Sequence, residues 1–374
     1  MRIAFPALLL TTLLGRAALA PAQPVSLVPP NIVARDTGAT MQRLAEGVYV
    51  IVHEPATNEW PHGNTGVIVG ENGVLIIDSN YLPARAVDDI ALIRQVTNKP
   101  VRYLVNTHWH GDHTHGNGVY RDSFPGLAIF GTRESAPFIE LNLKKLPTGA
   151  LAANSYSRTT LAALEASLAR GRDSAGRAWT AEERTEMAVS IGQRKFELTE
   201  LAKVKVAAPD QVFEGTFTLE MGGGRRVEFR NMGPANSVSD VIIYLPADRV
   251  LFAGDILVYP SPYTSGSFFM PWIGVLEALQ RYSVAALVPG HGPVMANHDY
   301  TRNVHDAFAS IRTQLDSMYR LGMVPPDAAK KVDLKALRNR FWVPAGRPIR
   351  EAFWEEWTRS VSERMSLCVM GYSC

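Results

Sequence analysis

Cysteine is almost missing from this chain: 374 residues carry two, Cys368 and Cys374, both at the C-terminal end. In an exported protein that leaves one small terminal loop for a disulfide to close. It leaves no cysteine close enough in sequence to the cluster described below to count among its ligands. A charge excess is missing too. Of the 38 Lys and Arg residues, Arg2 and Arg16 lie near the start, which leaves 36 against 36 Asp and Glu. No basic field remains that would hold nucleic acid or an anionic membrane surface. No apolar run of transmembrane length occurs beyond the start, where Arg2 precedes Ile3–Leu14 and the stretch closes on Ala18-Leu19-Ala20. A charged start, a short apolar core and a small-residue cleavage site read as a secretory signal peptide over residues 1–20, and Pro21, Pro24, Pro29 and Pro30 follow at once. The expectation is a periplasmic or secreted protein with no membrane insertion after cleavage.

The remainder has an ordinary globular composition, 46% hydrophobic and 20% charged, and enough length for one large domain or two small ones. Residues 21–43 read as an extended linker. Strands are expected over Gly47–Val52, Asn64–Val69 and Val74–Asp78, with a polar loop, His53–Gly63, between the first two. Apolar spacing predicts a helix over Ala84–Thr97, stopped by Asn98 and Pro100, then strands over Val101–Val105 and Leu127–Phe130. From about Glu134 to Lys205 the chain turns rich in Ala, Leu, Glu and Arg, with helical blocks at Thr159–Ala169 and Ala181–Leu201. This reads as a helical insertion, serving either as a wall of the pocket or as a packing or dimer element.

Strands return at Gln211–Leu219, Arg225–Arg230, Val241–Leu245, Val250–Ala253 and Ala285–Val288, with a helix near Ile273–Tyr282. Gly222-Gly223-Gly224 joins two of them as a hairpin; no Lys-Ser/Thr and no helix start follow, so it is no phosphate loop. The tail from 299 to 364 is mostly helical, anchored by Phe341, Trp342, Phe353 and Trp357. Two similar runs of strands, each closed by helices, fit an α/β fold of two sheets packed face to face with helices outside.

The chemistry concentrates in residues 101–118, VRYLVNTHWHGDHTHGNG. A short apolar strand ends at Asn106-Thr107, and His108, His110, Asp112 and His113 follow within six positions. Imidazole and carboxylate together suit zinc or a neighbouring transition metal. On an extended backbone His108 and His110 leave the same face. Asp112 and His113 come after Gly111, where the chain can turn, and so face a second position nearby. One segment thus supplies half the ligands of two adjacent metal sites.

His108-Trp109-His110-Gly111-Asp112-His113 resembles the His-x-His-x-Asp-His signature of the metallo-β-lactamase superfamily, and the resemblance runs from about Leu44 to His291. It implies the αβ/βα four-layer sandwich, here over residues 44–315 with the insertion at about 134–205, and a helical C-terminal extension over 316–374. It implies a first zinc site with His108 and His110. The third ligand comes from a loop that in the family carries His and in this chain is Gly233-Pro234-Ala235-Asn236-Ser237, so Asn236 stands at the ligand position. An amide oxygen is a weaker zinc donor than imidazole, so either Asn236 ligates weakly or water completes that site. The second site is complete: Asp112, His113 and His291, with Asp255 at the bridging position.

By the same resemblance the loop His53–Gly63 is a flap that brings Trp60 and His62 to the substrate pocket. As residues alone, His53, His62, His298 and His305 read as structural or solvated. His115, where relatives often carry Gly, reads as a supporting group. The implied chemistry is attack on a carbonyl by metal-activated water, one or two zinc ions serving, with Asp112 both ligating and orienting the nucleophile. A small-molecule substrate is expected, a cyclic amide or ester, with β-lactam first among them. Against β-lactam, several lactamases carry a substrate-binding Lys three residues beyond Asp255, and here that residue is Val258. The alternatives are a lactonase or ester hydrolase and a non-catalytic metal- or ligand-binding protein. Oligomeric state is left open.

Overall fold

The computed structural model describes residues 32–33, 38–53, 62–146, 156–172, 176–343 and 347–369. An eight-stranded sheet takes its strands in chain order: β1 (Ile32–Val33), β2 (Ala39–Ala45), β3 (Val48–His53), β4 (Thr65–Val69), β5 (Val74–Ile77), then, after helix α1 (Pro83–Val96), β6 (Val101–Val105). Two short helices, α2 (Gly111–Thr114) and α3 (Asn117–Ser123), precede β7 (Ala128–Thr132). Helices α4 (Ala136–Lys145), α5 (Tyr156–Arg170) and α6 (Ala181–Leu201) then intervene before the last strand of this sheet, β8 (Gln211–Phe213). Neighbours from β1 to β5 run antiparallel, and β5 to β8 run parallel.

The second sheet has five strands: β9 (Thr216–Glu220), β10 (Arg226–Asn231), β11 (Val241–Leu245) and β12 (Val250–Phe252), all antiparallel, and, after α7 (Phe269–Leu279), β13 (Ala286–Val288), which lies parallel to β12. The chain closes with α8 (Asp299–Arg320), α9 (Pro325–Ala329), α10 (Lys335–Arg338), a small hairpin of β14 (Trp342–Val343) and β15 (Arg347–Pro348), and α11 (Glu351–Val369).

Three apolar clusters explain the layering. Between the sheets, Val50, Ile68, Leu75, Ile77 and Val105 meet Val227, Phe229, Val241, Ile243 and Phe252. On the outer face of the first sheet, Ile51, Ile76 and Leu104 pack under Leu92 and Ile93 of α1 and Tyr120 of α3. Outside the second sheet, Leu251 and Leu287 pack with Trp272, Phe308, Trp354 and Trp357 from the helices. Strands buried on both faces read as continuous apolar runs, and β5 and β12 are buried at every position. This is the four-layer αβ/βα sandwich.

Several expectations shift. Residues 39–43, expected in the linker, belong to β2; only Ala39 and Met41 are fully buried there, the polar Thr40 and Gln42 alternate with them, and Arg43 is exposed. The single strand expected over Gln211–Leu219 is two strands in different sheets. The chain crosses between them at Gly215, whose φ of +59° is a conformation only glycine adopts freely. The expected boundary at 315/316 falls inside α8. In the tail, Trp354, Trp357, Val361 and Met365 recur at helical spacing and are buried, whereas Phe353, one position off that face, is 43% exposed. Phe341 is buried as expected, and the Trp342 side chain lies outside the described residues. Cys368 is disulfide-bonded, and Cys374 lies outside the described residues. Among the described residues no helix is long and apolar enough to cross a membrane.

The insertion docks on the domain next to the ligand segment. Helix α6 starts in a capping box in which Thr180 and Glu183 satisfy each other's backbone N–H groups. Near its other end, Glu197 Oε1 accepts the Tyr81 hydroxyl at 2.6 Å and Glu200 Oε2 accepts the Ala84 N–H at 3.0 Å, fastening it to the start of α1. Leu201 and Val204 join Leu82, Ile139 and Leu143 in a small core against Tyr81 and Trp109.

Candidate metal centre

Parallel strands end at the same sheet edge, and the site is built on four such ends. Asp78 follows β5, the segment His108–His113 follows β6, Asp255 follows β12 and His291 follows β13. The loops are stitched together: Asp78 N–H donates to Val105 O at 2.9 Å and Gly290 N–H to Gly254 O at 2.8 Å. A side chain at position 290 would place its Cβ 2.0 Å from Asp255 Oδ1, so glycine before His291 makes room for that carboxylate. Asp112 and His113 sit on the single turn of α2, as Gly111 allows.

Asp112, His113, Asp255 and His291 bring one atom each to within 4.8 Å of one another, and His108, His110 and Asp255 do the same beside them. In the first of these groups the separations are uniform. Nε2 of His113 and Nε2 of His291 are 3.2 Å apart; each also approaches Asp255 Oδ1, at 3.2 and 3.4 Å. Asp112 Oδ2 lies 3.4 Å from His113 Nε2 and 3.0 Å from His291 Nε2. A cation bound tetrahedrally at about 2.0–2.1 Å separates its ligand atoms by about 3.3–3.4 Å. Five edges of that tetrahedron are therefore present. Two imidazole nitrogens and a carboxylate oxygen with no hydrogen-bond partner, Asp255 Oδ1, converge on one point. Lone pairs so arranged repel one another unless a proton or a cation lies between them, and the donor set fits a divalent cation. In the second group His108 Nε2 stands 2.9 Å from His110 Nδ1 and 3.7 Å from Asp255 Oδ2. Asp255 thus offers one oxygen to each group.

Hydrogen bonds behind the cluster set the ring tautomers. Asp78, held at φ 61°, accepts the Thr107 N–H on Oδ1 and both the Thr107 hydroxyl and His113 Nδ1–H on Oδ2, each at 2.8 Å. With its one proton given to Asp78, Thr107 Oγ1 accepts from His108 Nδ1 at 3.0 Å. His108, and His113 once a cation replaces its second proton, therefore turn a lone pair on Nε2 toward the cluster. Asp78, an acidic side chain immediately after a fully apolar strand, is an unexpected support behind the cluster.

The charges respond as such a cluster should. Burial depresses His113 and His291, but Asp255 and Asp112 outweigh it; His113 is held well above the usual imidazole range and His291 is raised to about 9. Burial pushes the carboxyls of Asp112 and Asp255 up, and the neighbouring imidazoles, His113 foremost, hold both well below their ordinary range. Burial, with His113 next, keeps His108 well below, so it stays neutral.

The other expected residues are placed as follows. Asn236 is fully buried; its Nδ2 donates to Tyr263 O at 2.7 Å, and its Oδ1 has no hydrogen-bond partner. His115 is buried against Tyr81, ring centroids 5.3 Å apart, with burial lowering it to about 4. His62 is buried and donates from Nδ1 to Asn80 Oδ1 at 2.9 Å, while His53 lies 3.2 Å from Asp89. Trp60 lies outside the described residues. Val258 serves through its backbone, its oxygen accepting the Tyr300 hydroxyl at 2.5 Å, and Tyr259 N–H donates to His291 O at 3.1 Å. Beside the second group, the Trp109 ring stands 4.6 Å from His110 and 5.7 Å from Phe138, and Tyr263 approaches His110 edge-on at 6.1 Å.

The chain belongs to the metallo-β-lactamase superfamily, whose sequence profile matches residues 58–140 and 165–291. It is similar to the linear primary-alkylsulfatase of Pseudomonas sp. (strain ATCC 19151), 23% identical over 279 residues, which is 72% of this chain and 49% of the relative. The chain therefore spans about half the length of that curated relative. Among solved structures, the metallo-β-lactamase from Pontibacter korlensis aligns with a TM-score of 0.49 at 17% identity, over 72% of this chain and 99% of that one.

Proposed function

We propose that this protein is a metal-dependent hydrolase that uses zinc at the two ligand groups to cleave a small-molecule ester or cyclic amide. The observation that carries the reading is the near-tetrahedral set of separations among Asp112, His113, Asp255 and His291. A divalent cation held by these residues would supply Lewis acidity, activating a water and polarising the bond under attack. The chain's own groups do the rest. Asp78 and Thr107 fix the ligand tautomers, Asp255 spans the two groups, and Asp112 both ligates and orients the attacking water. Asn236 Oδ1 is the remaining donor for the group of His108 and His110. Trp60 and His62 are proposed for the substrate side. The stretch Met1–Ala20 supports export to the periplasm.

β-Lactam is the first substrate to test. A second reading, an alkyl sulfate ester, is favoured by exposed aromatic rings near His110, Tyr263 (53% exposed) against His110 itself and Phe138 (44%) against Trp109, and by the name of the curated relative. The test is zinc-loaded full-length protein assayed in parallel against a chromogenic cephalosporin, a lactone panel and medium-chain alkyl sulfates. Turnover that a chelator abolishes and zinc restores supports the reading and selects the class. Metal bound without turnover of any of them would favour the binding-protein alternative.

A further inference from the structure

Asn236 raises a question that the ligand groups alone do not answer. A buried amide oxygen left without a partner costs about 1–3 kcal/mol, so Asn236 Oδ1 is an acceptor open to a water or a cation. The amide cannot turn over, because its Nδ2 is committed to Tyr263 O at 2.7 Å and a flip would set two acceptors face to face. Tyr263 also borders the group of His108 and His110, its ring edge-on to His110. Whatever holds the backbone at Tyr263 therefore holds the amide.

That backbone is an irregular loop between Leu257 and Phe269, and the C-terminal helix holds it on both sides of Tyr263. Three consecutive carbonyls are each capped by a side chain. Pro262 O accepts Trp357 Nε1–H at 3.1 Å, Tyr263 O accepts Asn236, and Thr264 O accepts Arg364 Nη1–H. The Arg364 guanidinium also lies over the Phe269 ring, 5.5 Å from its centroid, and Phe268 N–H donates to Ala235 O at 2.8 Å, next to Asn236. Trp357 is itself wedged in the aromatic core, 5.0 Å from Trp354 and 6.3 Å from Phe308. The helix is thus a rigid support with two hands on the loop, and the loop has one hand on the amide.

We infer that the C-terminal helix is a positioning element of the first cation site: Trp357 and Arg364 clamp residues 262–264 so that Asn236 presents Oδ1 to the cation held by His108 and His110. This rests on the reading that cations occupy the two groups. It explains how an amide, a weak donor, serves where relatives place imidazole: a ligand of low intrinsic affinity gains from being fixed in advance, since no ordering cost is left to meet on binding. Trp357 and Arg364 are positioning residues; neither is placed against substrate.

The test is equilibrium binding of Zn²⁺ alone to full-length, metal-stripped protein, with Co²⁺ absorption as a second readout of coordination at each site. Wild type should show a tight and a weaker class, the weaker one lost in His110→Ala. Trp357→Phe keeps the ring and removes the donor, and Arg364→Gln removes the guanidinium. Each should weaken the weaker class about tenfold, the scale on which outer hydrogen-bond partners act, and leave the tight class unchanged. In an Asn236→Ala background neither substitution should have any further effect, a coupling that a general loosening of the fold would not give. Unchanged weak-class affinity in both variants, equal loss in both classes, or persistence of the effect in Asn236→Ala would overturn the inference and leave the hydrolase reading standing. So would a single class indifferent to His110→Ala. A wild-type protein that binds no cation would overturn both.

Discussion

Asp78→Asn is a change of one atom, from oxygen to NH₂, and the site is arranged so that it should be felt at the metal. Asp78 now accepts three hydrogen bonds: from Thr107 N–H, from the Thr107 hydroxyl and from His113 Nδ1–H. An asparagine has one acceptor oxygen to offer. If its oxygen faces the backbone N–H of Thr107, its NH₂ faces His113 Nδ1, which must then give up its proton and carry it on Nε2, the atom that faces His291 and Asp255. If instead the oxygen faces His113, the NH₂ opposes the Thr107 N–H, and two buried donors are left without an acceptor at about 1–3 kcal/mol. Either way the preferred ligand tautomer becomes harder to hold. Loss of a partner of this kind lowers metal affinity by about 10–100-fold, which is about 1.4–2.8 kcal/mol. The assay is a chelator competition titration with Zn²⁺ on wild type and variant, with thermal melts of the metal-free forms to separate affinity from stability. Wild-type zinc affinity in a folded Asp78→Asn protein would refute the assignment of His113 Nε2 as a ligand and of Asp78 as its orienting group.

Asp112→Ala and His291→Ala each remove one corner of the four-atom group; zinc content should fall by at least one ion per chain and turnover should be lost, by elemental analysis and assay of the same sample. Asn236→His replaces an amide by an imidazole at the first group; zinc content at limiting free metal should rise towards two per chain. No rise would mean that position 236 does not face the cation. The metal-free protein should have a defined pH window. His291 is raised to about 9 from 6.5, so its protonated form adds stability below about pH 6.5 that is lost as pH climbs through 9. Asp112 and Asp255 are lowered, so their contribution is present above about pH 4 and lost as pH falls further. Melting temperatures of the metal-free protein should therefore fall on both sides of that window, and zinc should abolish the alkaline fall because it takes the proton's place. A metal-free protein whose melting temperature stays flat from pH 6.5 to 9.5 would count against the cluster geometry.

The convergence of His108, His110, Asp112 and His113 was legible because six residues, His108 to His113, concentrate donors that otherwise have no reason to lie together behind an apolar strand. Asp255 and His291 were legible through resemblance and through their position after strands whose apolar runs leave no doubt of burial. Asp78 was not singled out, since an acidic residue at a strand end is as often a turn as an orienting group; only the three hydrogen bonds it accepts tell the difference. The start of β2 was hidden because Thr40, Gln42 and Arg43 are polar and a proline-rich stretch precedes it, so ATMQR reads as a link. The break between β8 and β9 was hidden because a sheet-to-sheet crossing takes two residues, Glu214 and Gly215, inside an otherwise strand-like run. Phe353 and Trp354 are neighbours in sequence on different faces of one helix, and composition does not fix the helical frame to within one residue. The clamp on residues 262–264 was beyond sequence altogether, since it joins Asn236 to side chains about 120 residues further along the chain.

The most direct measurement is an anomalous difference map at the zinc edge from crystals of the full-length protein equilibrated with zinc. Two peaks are expected on either side of Asp255, one among Asp112, His113 and His291 and the other beside His108 and His110, about 3.5–4 Å apart as in other paired sites. A map with zinc elsewhere in the crystal and no peak between His113 and His291 would contradict the account at its centre.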